Sequence, residues 1–81
     1  ILQNHGILTT GPSVDIALWF YMSMERCCQA QLMAEAAGKP IPVSHETAVK
    51  TREFIANDIA AWASYQPAFD KIVKMQPDLL D

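Results

Sequence analysis

Ser13-Val14-Asp15-Ile16-Ala17-Leu18-Trp19-Phe20-Tyr21-Met22 is the stretch that decides how this chain folds. Ser13 is a helix N-cap residue, and Asp15 falls in the first turn, where the helix dipole favours negative charge. From Ile16 to Met22 no polar side interrupts the pattern. A helix that is apolar all round is normally buried all round. Further on, Glu25, Arg26 and Gln29 form a polar face opposite Ala30, Ala34 and Ala37. Gly38 stands at the C′ position and Pro40 prevents continuation. The spacing therefore predicts one helix from Val14 to Ala37, about 36 Å long.

Lys39 to Val43, with Pro40 and Pro42, reads as an extended linker. Ser44 caps a second helix with Glu46 in its first turn and a Glu46–Lys50 pair at i,i+4. Val49, Arg52, Ile55, Ala56 and Ile59 continue the helical spacing, with only Arg52 polar, and Asn57-Asp58 is a point where one helix can end and another start. Ile59 to Met75 is helical again, with Pro67 either kinking it or opening a new helix after Gln66. Pro77 stops the pattern and leaves a short tail, Asp78 to Asp81.

Before the long helix, Ile1, Leu2, Ile7 and Leu8 are strand formers, and Gly6 interrupts them. Ile1 to Thr10 reads as one or two short strands, ended by Gly11-Pro12. The expected unit is α+β and mostly helical, with a short N-terminal β segment and two to three helices. Residues 1–81 show no repeat, no low-complexity stretch and no second domain. Three short elements cannot easily surround the apolar opening of the first helix, so the chain is expected to pack against further protein or against copies of itself. Ile1 in place of an initiator Met supports a fragment or a processed product.

Composition narrows the function classes. The chain has 81 residues, 51% of them hydrophobic, and a net charge of −3, which is apolar for so small a unit. Without a basic stripe to neutralise phosphates, nucleic-acid binding is not expected. No basic amphipathic segment addresses an anionic membrane surface, and Ile16 to Met22 is too short to span a bilayer. The first residues carry no signal-peptide pattern. Cys27 and Cys28 are neighbours that cannot bridge each other in a helix and read as reduced apolar fillers, which places the chain in the cytoplasm.

The candidate chemistry lies in Gln3-Asn4-His5-Gly6-Ile7-Leu8-Thr9-Thr10-Gly11. A glycine beside a histidine lets the backbone bend so that the imidazole projects, and imidazole is a common ligand of zinc and related divalent metals. On spacing alone the pattern is weak, since a lone histidine is more often structural or exposed. His45 follows a probable cap and reads as an exposed first-turn histidine. Thr10-Gly11-Pro12-Ser13 before a helix could hold an anion, but a turn and cap explain it equally well. Trp19, Phe20 and Tyr21 have no basic neighbours that would make them a base-stacking surface. Glu25 and Glu46 lack an evident partner for acid–base work.

The stretch Ile1-Leu2-Gln3-Asn4-His5-Gly6-Ile7-Leu8-Thr9-Thr10-Gly11 resembles the late "NHG(L/I)LT-x-G" segment of class II aldolases and adducin head domains. The Ser-Val-Asp helix start, Met-Glu-Arg-Cys-Cys-Gln and Ala-Glu-Ala-Ala-Gly-Lys-Pro extend the resemblance over essentially the whole chain. It implies the C-terminal part of an α/β/α sandwich that usually assembles into oligomers. It implies that His5 is one of three histidines binding a divalent metal, usually zinc, which acts as a Lewis acid on small hydroxylated carbonyl substrates such as sugar phosphates. The parent would be a lyase or epimerase. The family's paired His-x-His ligands and its acid/base residue have no counterpart in these 81 residues. A catalytic zinc needs three protein ligands and an open position, so the chain alone is expected to be inactive. The alternative is a non-catalytic helical self-association module of the adducin-like scaffold kind, in which homo-oligomer contacts cover the apolar helix opening.

Overall fold

Ser13, at φ −148° and ψ 164°, keeps the backbone extended up to α1 (Val14–Ala37). Its carbonyl accepts the first helical bond from the Ala17 N–H at 3.0 Å. Its hydroxyl makes no cap bond, so Ser13 marks the helix start by backbone geometry alone. At the other end the Gly38 N–H closes onto the Ala34 carbonyl at 3.0 Å. Gly38 is in extended backbone, so this terminus does not require glycine. The computed structural model describes residues 1–81.

The second helix, α2 (His45–Ile55), starts where Ser44 Oγ accepts the Thr47 N–H at 3.2 Å. Lys50 Nζ meets Glu46 Oε1 at 2.7 Å, the expected i,i+4 pair. Asn57 then joins two helices. Its Oδ1 accepts the Ala60 N–H at 2.8 Å to cap α3 (Asp58–Met75), and its Nδ2 donates back to the Phe54 carbonyl. Pro67 neither ends nor restarts α3, which runs through it. The Tyr65 and Phe69 rings, one turn apart on either side of it in sequence, stack with centroids 5.6 Å apart. After Gln76, Pro77–Leu80 forms one 3-10 turn where an irregular tail was expected.

The expected N-terminal β segment is not formed, and neither is any part of a sandwich. Residues 1–13 contain one isolated bridge, Leu2 against Gly6, and the rest of the chain is helical or irregular. A strand is held by hydrogen bonds to another strand, and here the only partner within reach is the segment itself. The apolar residues favour extension, but they fold back into a turn. The fold is three α-helices with an irregular N-terminal segment laid along α1.

Packing is thin. Only Ile16 and Ala61 are buried, at 8% and 2% exposure. Leu18 and Met22 of α1 are half-buried against α3, and Tyr21 remains exposed. The Cα radius of gyration is 15.5 Å, against about 12 Å for a compact domain of this length. The accessible surface is 6978 Å², about 2,000 Å² more than a globular monomer of the same mass exposes. The apolar opening of α1 is thus partly covered, with Ile16 buried and Ala17, Leu18, Trp19, Phe20 and Met22 half-buried. No helix is long and apolar enough to cross a membrane.

Candidate functional site

His5 rides on the turn that replaces the strand. The Leu2 N–H donates to the Gly6 carbonyl at 2.7 Å, and the Leu2 carbonyl accepts from His5 and Gly6 at 3.2 and 3.1 Å. Closing five residues this tightly requires positive φ. Asn4 supplies φ 61° and Gly6 φ 130°. Asn tolerates the left-handed region, whereas the Gly6 conformation is nearly glycine-specific. The Asn-His-Gly order thus has a local reason: the flanking residues bend, and His5 between them is presented to solvent, exposed.

Two contacts fasten this turn to the helix behind it. Thr9 Oγ1 donates to the Ala17 carbonyl at 2.8 Å. A Cβ on Gly11 would lie 3.0 Å from both the Ala17 nitrogen and the Ile16 Cγ2, so the backbone of residue 11 rests directly on the first turn of α1. Trp19 Nε1 donates to the Ile55 carbonyl at 3.3 Å. That carbonyl lies at the C-terminus of α2, where carbonyls lack intrahelical donors.

His5 has no companion ligands in this chain. His45 is the first residue of α2 and is exposed, as its sequence position suggested. No three His, Cys, Asp or Glu side chains converge anywhere in the structure. The residues present therefore do not fit a catalytic divalent metal, because one imidazole is a third of the protein donor set such a site needs. The Glu46 carboxylate is engaged with Lys50, and Cys27 and Cys28 are free thiols on α1.

The concave surfaces lie elsewhere. A groove of about 770 Å³ runs between α1 and α3, lined by Trp19, Met22, Arg26, Lys71 and Ile72 among others. A cleft of about 610 Å³ separates α1 from α2, lined by Phe20, Met24, Cys27, Val43 and Ile55 among others. Neither includes His5. Trp19, Phe20 and Met22, which the sequence places in a stretch apolar all round, form walls of these open grooves.

Residues 1–32, the histidine turn and most of α1, match the family described as class II aldolase and adducin N-terminal domain. The chain carries part of a class II aldolase/adducin domain. Similarity to individual proteins continues past the family match. Decarboxylase NovR of Streptomyces niveus is 38% identical over 79 residues, 98% of this chain and 29% of its own length. The 4-hydroxy-3-prenylphenylpyruvate oxygenase/4-hydroxy-3-prenylbenzoate synthase of Streptomyces roseochromogenus subsp. oscitans is 37% identical over 79 residues, 98% of this chain and 28% of that protein. Meiotically up-regulated gene 14 protein of Schizosaccharomyces pombe is 38% identical over 72 residues, 85% of this chain and 28% of that protein. The chain spans under a third of each of these relatives, and α2 and α3 share in the similarity along with the histidine turn. No solved structure matches the chain.

Proposed function

We propose that these 81 residues are the C-terminal part of a class II aldolase-type domain in a metal-dependent lyase acting on small carbonyl substrates. His5 is their one contribution to its divalent-metal site, zinc in the first instance. The observation that carries this is the Asn4-His5-Gly6 turn, inside the family match, with its imidazole exposed and no cluster of three ligands in the chain. The remaining ligands and the acid–base group come from polypeptide outside residues 1–81, and the chain alone is inactive.

The relatives' names refine the substrate class. One is a decarboxylase and one acts on an aryl pyruvate, so the hydroxy-carbonyl substrates of the parent extend beyond sugar phosphates to 2-oxo acids. The two free thiols of α1 support a reducing, cytoplasmic setting.

A chimera tests the assignment. The 79-residue stretch of the Streptomyces niveus relative that matches this chain is exchanged for the corresponding residues of the chain, and bound divalent metal is counted by elemental analysis. The expected result is close to one metal per chain, lost on His5→Ala. Equal metal content with and without the imidazole would remove His5 from the site.

Self-association is the second reading, and the surface excess favours it. A stable interface takes roughly 800 Å² from each partner, and the chain exposes about 2,000 Å² beyond a globular monomer of its mass. We take the chain to form a homo-oligomer, whether or not it also belongs to a catalytic parent.

A further inference from the structure

α2 is tied to the rest of the chain far less than its neighbours are. α1 and α3 pack on each other and contain the two buried residues, Ile16 and Ala61. Of the 11 residues of α2, only Val49 is even half-buried. Its other supports are its own: the Ser44 cap, the Glu46–Lys50 pair and the Thr51 hydroxyl, which donates back to the Thr47 carbonyl at 2.8 Å. A helix this short is marginal in water without tertiary packing, and an exposed ion pair adds little.

Two side chains hold its C-terminal end. Ala56 leaves the helix at φ −86° and ψ 46°, and Asn57 bridges the break, bonding back to Phe54 and forward to Ala60. The second is Trp19, whose Nε1 donates to the Ile55 carbonyl at 3.3 Å, the one side-chain hydrogen bond between α1 and α2. The half-buried Trp19 ring lines the α1–α3 groove, so it belongs to the packed pair while its N–H reaches the open end of α2.

We propose that α2 is a flap that opens as a unit from the α1–α3 pair, with Asn57 as its joint and the Trp19–Ile55 bond as its latch. Opening uncovers the apolar cleft between α1 and α2, where Phe20, Met24 and Cys27 form the α1 wall. The same cleft reaches Thr9, the residue that bonds the histidine-bearing segment to α1. One exposed hydrogen bond is a weak latch, so the open state is reached without disrupting α1 and α3.

Native-state amide hydrogen exchange of the 81-residue chain, read residue by residue by NMR, tests this. The amides of Val49 to Ile55 are expected to share one protection, at least about tenfold below those of Leu18 to Met22 and Ala68 to Ile72. Trp19→Phe keeps an aromatic ring in the groove and removes the donor. It is expected to lower the protection of α2 by about a further fivefold and to leave α1 and α3 unchanged. Equal protection in all three helices would show one cooperative unit and no flap. Protection graded along α2 would show fraying from an end. If Trp19→Phe leaves α2 unchanged, or loosens α1 and α3 as much as α2, the bond is not a latch. Absence of protection in every helix would leave no packed pair for α2 to open from, and the proposal fails.

Discussion

Thr9 Oγ1 donates to the Ala17 carbonyl at 2.8 Å, which ties the histidine-bearing segment to the first turn of α1. Their backbones also touch two residues further on, at Gly11. In a structure with two buried residues, this junction is where local order is concentrated, because one of the two is Ile16.

Thr9→Val keeps the shape of the side chain and removes the donor. The Ala17 carbonyl lies inside α1 and keeps its helical partner, so the loss is one partly buried hydrogen bond of about 1 kcal/mol. Amide hydrogen exchange of residues 1–12 is expected to quicken about fivefold, with α3 unaffected. Unchanged exchange would mean that the bond does not hold the segment.

Gly11→Ala and Gly38→Ala separate two kinds of glycine. At Gly11 the added carbon meets backbone at 3.0 Å, and the neighbouring Ile16 cannot withdraw without opening the core. A loss of about 1–3 kcal/mol in a urea melt is expected. At Gly38 the new carbon meets nothing within 4 Å and the backbone is extended. That variant is expected to be neutral, or more stable by under about 1 kcal/mol through the unfolded chain. Equal effects at both sites would contradict the close approach at Gly11.

Pro67 lies inside α3 with no N–H, which leaves the Ala63 carbonyl without its usual helical donor. Pro67→Ala restores that bond and is expected to stabilise α3 by about 1–3 kcal/mol, read as a rise in melting temperature by circular dichroism. A lower melting temperature would show that the ring's packing along the α1–α3 groove outweighs the missing bond.

What the sequence made legible follows from how local each signal is. Ser44 and Asn57 declare helix starts through side-chain oxygens that need only the next three residues, and both do so in the structure. The extent of α1 was readable because Asp15, Gly38 and Pro40 bracket one pattern. The strand expected at Ile1 to Thr10 was not decidable locally, since strand formers need a partner strand and residues 1–81 offer none. Pro67 was ambiguous because its outcome depends on the Tyr65–Phe69 stack and on α1, neither visible in the tripeptide around it. His5 was legible as a ligand candidate by resemblance, but a complete site was not, because no three ligand-type side chains of this chain gather together. The apolar opening of α1 is only partly covered by this chain, and open grooves run along Trp19 and Phe20.

The central claim is that His5 is one donor of a site shared with other polypeptide. Calorimetric titration of Zn²⁺ into the 81-residue chain addresses it most directly. One exposed imidazole gives no saturable one-to-one binding and no shift in melting temperature. Tight one-to-one binding that disappears in His5→Ala would show a complete site within the chain and contradict the claim.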